Sequence, residues 1–174
     1  MPRNHSRDRM AIEIERKFLV TGEDWKPLAV GSKRLRQAYL ARSGKAAVRV
    51  RIVDDTSATL TIKSRGARTS RLEYEYPIPV NDALDLLELR EGILLSKVRH
   101  LVEHGGLTWE VDVFEGDNAG LVIAEVELQH ESQAIARPPW VGREITSDGR
   151  YSNSRLALNP YRSFAAEDVQ EGTR

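Results

Sequence analysis

The sequence predicts an α+β protein that is mainly β, in which an antiparallel sheet closes into a barrel and helices pack against its outside. Segments with strict alternation of polar and apolar residues recur along most of the chain, as they do in half-buried strands. Nearly every such segment places charges of one sign on its polar face, whereas Val, Ile, Leu, Tyr and Trp occupy the other face. This regularity favours an enclosed, charged lumen, and closing the sheet also removes its exposed edges.

Length, composition and charge limit the classes of protein. The 174 residues fit one domain, which we place at 10–164 between disordered extensions at 1–9 and 165–174. Lys and Arg total 26, as do Asp and Glu, so no net field indicates binding to nucleic acid or to a membrane surface. There is no cysteine, which excludes disulfides and thiolate chemistry. With no apolar leader and no long apolar run, a cytoplasmic location is expected.

The first predicted strand, residues 13–20, sets the pattern. Because alternate residues of a strand face the same side, Glu13, Glu15 and Lys17 lie in one row opposite apolar residues. The other strands repeat this arrangement. In chain order they carry Arg49 and Arg51 in 47–53, Lys63 in 58–63, Glu73 and Glu75 in 71–76, Lys97 and Arg99 in 96–99, Glu110 and Asp112 in 108–114, and Glu125 and Glu127 in 121–129.

The segments between these strands are predicted from their caps and breakers. Residues 81–91 form the clearest helix, since Asn81 can cap its start and Gly92 can stop it. The remaining elements are a short helix within 21–32, a strand at about 34–42, a tight hairpin turn at 54–57, a last strand near 142–146 and a helical turn at 151–157. Pro77 and Pro79 are expected to end the 71–76 strand. Arg143 and Glu144 stay unplaced because the sequence does not show which face of the last strand they take.

The charges of the lumen indicate its ligand. The strands bring together eight carboxylates and six cationic side chains. Burying so many charges without water or a ligand costs too much free energy. Arg forks and Lys ammonium groups suit phosphate oxygens, and carboxylate pairs suit hard cations such as Mg²⁺ or Mn²⁺. Positive and negative clusters on one surface therefore indicate a metal complex of a polyphosphate.

The ordered series of charged motifs resembles the CYTH superfamily, the triphosphate tunnel metalloenzymes. It begins with Glu13-x-Glu15-x-Lys17 and continues through the Arg-x-Arg, Lys, Glu-x-Glu, Lys-x-Arg, Glu-x-Asp and Glu-x-Glu segments given above, over residues 10–160. A lone Glu-x-Glu-x-Lys is a weak signal, whereas the whole ordered series is specific. The resemblance implies an eight-stranded antiparallel tunnel, a divalent-metal requirement and a substrate that carries a triphosphate.

The resemblance also implies roles for individual residues. The implied phosphate-binding set is Lys17, Arg49, Arg51, Lys63, Lys97 and Arg99. The implied ligands of Mg²⁺ or Mn²⁺ are Glu13, Glu15, Glu125 and Glu127, and the other acids of the lumen are Glu73, Glu75, Glu110 and Asp112. Tyr39 matches a lumen tyrosine of bacterial members. It acts either in proton transfer, next to a cation such as Lys97, or only in packing.

The substrate decides the function. The short chain, which opens its first strand with Glu-Ile-Glu-Arg-Lys-Phe-Leu-Val, most resembles the simple triphosphatases, so we expect metal-dependent hydrolysis of the terminal phosphate of inorganic triphosphate. Thiamine triphosphatase and class IV adenylyl cyclase are the alternatives within the family. A non-catalytic module that sequesters polyphosphate or nucleotides is the alternative of another class. We expect neither nucleic acid nor a membrane as a partner, and the oligomeric state is open, a homodimer included.

Overall fold

The computed structural model describes residues 14–64 and 73–165. One antiparallel sheet runs through them, and its strands are β1 (Ile14–Val20), β2 (Ala29–Arg42), β3 (Ala46–Val53), β4 (Ser57–Ser64), β5 (Glu73–Ile78), β6 (Glu91–His104), β7 (Leu107–Phe114), β8 (Val122–Leu128) and β9 (Val141–Glu144). The helices are α1 (Val80–Leu87) and α2 (Asn153–Leu156), with short 3-10 turns at Lys26–Leu28, Gly116–Asn118, Gly149–Tyr151 and Tyr161–Ser163. None of the described helices is long and apolar enough to cross a membrane.

The mainly β, antiparallel class is confirmed, but the closed eight-stranded barrel is not what the described residues form. They form nine strands, hydrogen-bonded in the order β5-β4-β3-β2-β6-β7-β8-β1-β9, so that β5 and β9 are the two ends of an open sheet. Closing eight strands would require β5 to pair with β1. That edge of β1 is occupied by β9, which pairs with it at Phe18↔Glu144 and Val20↔Val141.

The register places the charged residues on one face of the sheet, as the alternation predicts. Directly paired residues of neighbouring strands have side chains on the same face. Lys17 pairs with Glu125, which pairs on its other side with Glu110. Arg99 pairs with Asp112 in the same way. We call this surface the inner face, and it carries Glu15, Lys17, Tyr39, Arg49, Arg51, Lys63, Glu73, Glu75, Lys97, Arg99, Glu110, Asp112, Glu125 and Glu127.

The opposite, outer face packs into two apolar clusters. Over β2, β3 and β4, helix α1 places Ala83 and Leu87 against Ala38, Val50 and Ile52. Over β1, β7 and β8, the second cluster contains Phe18, Trp25, Trp109, Val111, Val126 and Trp140. Helix α1 therefore covers the sheet from outside, as predicted.

Helix α2 and the chain after it do not lie outside, which corrects that part of the prediction. Tyr151, Leu156 and Phe164 pack against Tyr39 and Leu95 on the inner face. We call this cluster the apolar plug, and its buried members are Tyr39, Leu95, Phe114, Leu121, Ile123, Ile145, Tyr151, Leu156, Ala157 and Phe164. The plug covers one end of the charged surface, because Tyr39, Leu95, Phe114 and Ile123 share the face of the charged residues.

Element boundaries differ from the predicted ones where strand pairing overrides local propensity. β2 already starts at Ala29 because it pairs with β6 from there, and only the 3-10 turn Lys26–Leu28 remains of the predicted helix. For the same reason β6 starts at Glu91, while α1 ends at Leu87. Pro77 lies inside β5, which tolerates it because β5 is an edge strand that needs no second row of hydrogen bonds.

The predicted hairpin between β3 and β4 is confirmed. Asp54 and Asp55 have φ angles of 50° and 56°, the left-handed conformation that both central residues of a type I′ turn require. The Thr56 amide donates to the Val53 carbonyl at 3.0 Å. The Asp54 carboxylate accepts a hydrogen bond from the Arg34 amide at 2.7 Å, which ties the turn to β2. The turn thereby fixes the register of both strands.

Candidate functional site

Arg99 on β6 forms the centre of the charged inner face. Its Nε lies 2.7 Å from Asp112 Oδ1, and its Nη2 lies 2.7 Å from Asp112 Oδ2 and 3.0 Å from Glu125 Oε2. Its Nη1 pairs with Glu110. Burial opposes the charge of this guanidinium, but the three carboxylates outweigh burial and raise the pKa of Arg99 above its ordinary value. Arg99 is therefore fixed in position and its charge is compensated.

Lys97 lies next to this cluster and has no exposed surface. Its Nζ pairs with Asp112, which is also fully buried, and lies 5.1 Å from the centroid of the Phe114 ring. Burial lowers the pKa of Lys97 below its ordinary value, and Asp112 offsets this only in part. Burial raises the pKa of Asp112, but Lys97 and Arg99 outweigh it and hold the pKa below the ordinary value. The structure therefore does not bring Lys97 to the surface of the inner face.

Lys17 bridges two carboxylates on neighbouring strands. Its Nζ lies 3.0 Å from Glu15 Oε1 and 2.9 Å from Glu125 Oε1. Burial by itself lowers the pKa of Lys17, but the two carboxylates raise it above its ordinary value. Burial raises the pKa of Glu125, yet the charge of Lys17, followed by that of Lys97, brings it below the ordinary value. Both members of the pair are thus kept ionised.

A second charged group lies on β3, β4 and β5. Lys63 Nζ is 2.9 Å from Glu73 Oε2, and Arg49 Nη2 is 3.5 Å from Glu75 Oε1 and 3.8 Å from Glu73 Oε1. The buried Thr61 hydroxyl accepts from Arg49 at 3.2 Å and donates to Glu75 at 3.1 Å. The Arg49 Nε is buried and has no acceptor within the described part of the chain. One donor of this group is therefore left unsatisfied.

Arg51 is a half-buried cation without a carboxylate partner in residues 14–64 and 73–165. Its Nε donates to Gln37 Oε1 at 3.0 Å. Burial, together with the positive charges of Arg49 and Arg99, lowers the pKa of Arg51 to about 10. An anion bound next to these arginines would supply the missing negative charge. This part of the inner face is therefore suited to an anionic ligand.

Tyr39 lies where the charged surface meets the apolar plug. Its side chain is 8% exposed, and its partner across β2 and β3 is Arg49. The Arg42 guanidinium carbon lies 5.6 Å from the centre of its ring. The ladders on both sides of β2 are irregular next to Tyr39, and such bulges redirect side chains. The packing role is visible in these contacts, and the role in proton transfer stays a prediction.

A cavity of about 670 Å³ opens at the β1, β7 and β8 side of the inner face, and four carboxylates line it: Glu15, Glu110, Glu125 and Glu127. Glu15 pairs directly with Glu127, and Glu110 with Glu125. Burial raises the pKa of Glu110, and although Arg99 opposes this effect, the nearby carboxylates of Asp112 and Glu125 add to it. A hard divalent cation would relieve this repulsion and prefers such oxygen donors. The donor chemistry of the cavity therefore fits the predicted metal.

The predicted ligands are not arranged around one point. In the two described ranges, no three acidic or histidine side chains come close enough to share an ion. Glu13 lies outside the described residues. Glu125 is already paired with Lys17 and Arg99, whereas Glu127 is exposed. Binding of a cation here requires these carboxylates to give up part of their present pairing.

Three inner-face residues were not among the predicted site residues. Gln37 holds Arg51, Thr61 links Arg49 to Glu75, and Lys33 is the cross-strand partner of Arg99. They are in phase with the charged side chains of the inner face, and this two-residue spacing is the signal that finds them. Gln37 and Thr61 carry no charge, and Lys33 precedes the predicted start of its strand, so none of the three belongs to a charged doublet of the predicted strands.

The two residues that the sequence left unplaced face opposite sides of β9. Glu144 shares the outer face with Phe18 and accepts from Arg16 Nε at 2.9 Å. Arg143 Nη2 donates to the Tyr151 hydroxyl of the plug at 3.1 Å. Neither side chain contacts the carboxylate cavity.

The fold and the site together define a class of protein, in which one antiparallel sheet presents a continuous face of arginines, lysines and carboxylates suited to a polyanion and a cation. The CYTH domain model matches residues 11–156, so the chain belongs to the CYTH family. This confirms the resemblance seen in the order of the charged motifs.

Relatives and solved structures agree with this membership. The chain is 47% identical over 156 residues to an inorganic triphosphatase of Acetivibrio thermocellus, covering 89% of this chain and 99% of that protein. It is 41% identical over 152 residues to an inorganic triphosphatase of Nitrosomonas europaea, covering 84% and 97%. A crystal structure of an inorganic triphosphatase matches it with a TM-score of 0.65 at 37% identity, covering 84% of this chain and 94% of the other.

Proposed function

We propose that the protein is a divalent-metal-dependent triphosphatase that hydrolyses the terminal phosphate of inorganic triphosphate on its inner face. Triphosphate and water give diphosphate and phosphate. Both relatives named above are inorganic triphosphatases, and they match 89% and 84% of this chain. Because both relatives are inorganic triphosphatases, they support inorganic triphosphate, and not thiamine triphosphate or ATP, as the substrate.

The observation that carries this proposal is the uncompensated positive charge around Arg51. Arg51 has no ion-pair partner in the described ranges, and the Nε of the neighbouring Arg49 has no acceptor there. Arginine donors that are fixed, partly buried and unpaired suit the oxygens of a phosphate chain. Arg51 is therefore the proposed direct phosphate ligand. The neighbouring Arg49 is proposed as a second one, although its Nη2 now pairs with Glu73 and Glu75.

The other predicted phosphate ligands are proposed in two roles. Arg99, Lys17 and Lys63 lie on the inner face, but each is paired with a carboxylate. They are proposed to bind phosphate oxygens once phosphate displaces those carboxylates or a cation binds them. Lys97 acts through Asp112, because both side chains are fully buried and the pair holds Arg99 in place.

Glu15, Glu125 and Glu127 are the proposed ligands of Mg²⁺ or Mn²⁺, with Glu13 as a further ligand from outside the described residues and Glu110 at the same cavity. When bound, such a cation polarises phosphoryl oxygens as a Lewis acid. The chain itself supplies the positioning. Its arginines and lysines hold the phosphate chain for in-line attack of water on the terminal phosphorus, and they stabilise the charge that develops on the departing diphosphate. Tyr39 is the predicted proton-transfer residue, and Lys97 is the predicted catalytic cation next to it.

The test is a side-by-side assay of inorganic triphosphate, thiamine triphosphate and ATP, with Mg²⁺, with Mn²⁺ and with a chelator. We expect phosphate release that needs the metal and is fastest with inorganic triphosphate. Formation of cyclic AMP from ATP would replace the proposal with a cyclase, and fastest release from thiamine triphosphate would replace it with a thiamine triphosphatase. Binding of triphosphate without turnover of any substrate would leave a sequestering module.

A further inference from the structure

Gln37 is a fully buried amide on the inner face. It lies on β2 between its cross-strand partners Arg51 on β3 and Leu95 on β6. Its neighbours along the same face of the strand, Leu35 and Tyr39, are 3% and 8% exposed, and Gln37 itself is 0% exposed. Burying a polar side chain in such surroundings costs free energy unless the side chain forms hydrogen bonds.

Gln37 forms one side-chain hydrogen bond within the described residues, with Arg51. Gln37 Oε1 accepts from Arg51 Nε at 3.0 Å, whereas its own Nε2 is buried without a partner in the described part of the chain. The unpaired amide donor destabilises the fold, and an apolar side chain of similar shape would avoid that penalty. Packing alone therefore does not account for Gln37.

The hydrogen bond determines where the rest of the guanidinium points. The group is planar, so an acceptor fixed at Nε sets the orientation of both Nη nitrogens. Arg99 shows the other way of fixing an arginine, because Asp112 binds its Nε and Nη2 at 2.7 Å each and also cancels its charge. An amide oxygen fixes Arg51 without cancelling its charge.

We propose that Gln37 is a positioning residue that holds the guanidinium of Arg51, still fully charged, toward the inner face as a phosphate-binding fork. This inference rests on the proposed triphosphatase function. It assigns Gln37 no contact with the substrate, and its effect passes through Arg51 alone. The neutral acceptor is essential, since a carboxylate at the same place would compete with phosphate for the same cation.

The experiment compares Gln37→Met, which keeps the shape without an acceptor, with Gln37→Glu, which keeps the acceptor and adds a charge. In Gln37→Met we expect solvent exchange of the Arg51 Nε proton, followed by NMR, to accelerate at least about tenfold, and KM for inorganic triphosphate to rise about tenfold with kcat within about threefold. In Gln37→Glu we expect the proton to stay protected while KM rises by a similar factor. Asn118→Ala removes a similarly buried amide, whose Oδ1 accepts from the Tyr161 backbone amide, and we expect it to leave both readouts unchanged.

An unchanged exchange rate in Gln37→Met, or an unchanged KM in both variants, overturns the proposal. Should Gln37→Met fail to fold, Gln37→Glu decides, because wild-type KM in that variant is incompatible with a required neutral acceptor. Failure of the proposed function is a separate outcome. Wild-type protein without turnover refutes the triphosphatase, and the Gln37 proposal is then tested by proton exchange and by the Kd for inorganic triphosphate from calorimetry.

Discussion

Two arginines of the inner face are held in opposite ways, and the difference separates structure from ligand binding. Arg99 is compensated by Asp112, Glu110 and Glu125 and is part of a network that the folded protein completes by itself. Within residues 14–64 and 73–165, Arg51 binds only the amide oxygen of Gln37 and has no ion-pair partner. A buried charge without a partner is expensive unless a ligand supplies one. Among these two arginines, Arg51 is accordingly the one that we expect to contribute more to ligand binding.

Replacing Arg51 by Gln should weaken substrate binding with little effect on folding. We expect KM for inorganic triphosphate to rise at least about thirtyfold, since a hydrogen-bonded charge is lost from the site, while kcat changes less. Steady-state kinetics measures both. The control is Arg36→Gln on β2, whose side chain pairs with the exposed Asp55 on the outer face and should leave KM unchanged. Equal KM values for all three proteins would remove Arg51 from the site.

Replacing Lys97 by Met should destabilise the fold rather than change only the kinetics. The change leaves the buried Asp112 with Arg99 as its remaining cation, and breaking a buried pair typically costs about 3 kcal/mol. Urea unfolding gives the free energy. The control Lys26→Met removes an exposed pair with Glu23 and should cost less than about 0.5 kcal/mol. Wild-type stability combined with a raised KM would mean that Lys97 contacts the ligand directly.

Replacing Tyr39 by Phe distinguishes proton transfer from packing. The ring stays in the plug, so stability should change little, while loss of a general acid or base should lower kcat at least about a hundredfold. Initial rates of phosphate release measure kcat. Tyr151→Phe is the matched control, because it removes a plug hydroxyl that binds Arg143 away from the carboxylate cavity, and its kcat should stay at the wild-type value. Full turnover in Tyr39→Phe would leave packing as its only role.

At the scale of the elements, β2 joins the two halves of the site. It pairs with β3, which carries Arg51, and with β6, which carries Arg99. Both ladders are irregular near Tyr39, at the end of β2 that the plug covers. The plug itself is tied to β6, where the Ile93 amide donates to the Ala157 carbonyl at 2.8 Å. A close approach of backbone to backbone therefore closes one end of the charged surface.

Gly92 makes this close approach possible, so Gly92→Ala should displace α2 from β6. A Cβ at Gly92 would lie 2.1 Å from the Ala157 carbonyl oxygen, and Gly92 also has φ +77°. Gly22 has a similar φ of +71° with nothing within 4 Å of a Cβ, so Gly22→Ala measures the backbone strain alone. We expect a loss of about 1 kcal/mol in Gly22→Ala and at least about 3 kcal/mol in Gly92→Ala, by urea unfolding. Equal losses would show that the contact relaxes without penalty.

At the scale of the whole molecule, the open sheet has two different edges. β5 ends the sheet on the side of Lys63, Glu73 and Glu75, whereas β9 covers the free edge of β1. The Glu144 carboxylate of β9 is bound by Arg16 of β1 and by the Thr146 hydroxyl at 2.7 Å. The hydrogen bond from Arg16, opposed by slight burial and helped by Thr146, lowers the pKa of Glu144 to about 2.

This pair should make stability fall on the acidic side. A carboxylate with a depressed pKa stabilises the fold fully above its unfolded pKa of 4.5, and this contribution is lost as the pH falls from there toward about 2. The free energy of unfolding of the wild type should therefore exceed that of Glu144→Gln at pH 7, and this difference should shrink toward pH 3. Because both side chains are partly exposed, we expect at most about 1 kcal/mol, decreasing with salt. Urea unfolding at each pH gives the difference.

Arg16→Met tests the cause of this pH dependence. The shift arises mainly from Arg16, so Arg16→Met should lose the same acid-side dependence, and Glu144→Gln should add nothing further in that background. A difference between wild type and Glu144→Gln that stays constant from pH 7 to pH 3 would contradict the assignment.

Local sequence patterns are enough to predict the class of the fold, the family and the charged face. Strict alternation assigns Lys17, Arg51, Arg99 and Glu125 to one face whatever the curvature of the sheet, because the side-chain period of a strand is two. The order of the charged doublets along the chain is likewise a property of sequence. These features depend on short-range geometry and were confirmed by the register.

Long-range contacts determine which of these charged residues pair with one another and which strands form the edges of the sheet. That β9 takes the edge of β1, that α2 packs on the inner face, and that Lys97 is buried against Asp112 all depend on contacts between residues distant in sequence. The same holds for Gln37, whose role is visible only beside Arg51 on the next strand. The alternation of polar and apolar residues predicts which face of the sheet a side chain lies on. Its partner is set by the pairing of whole strands, which the local sequence does not encode.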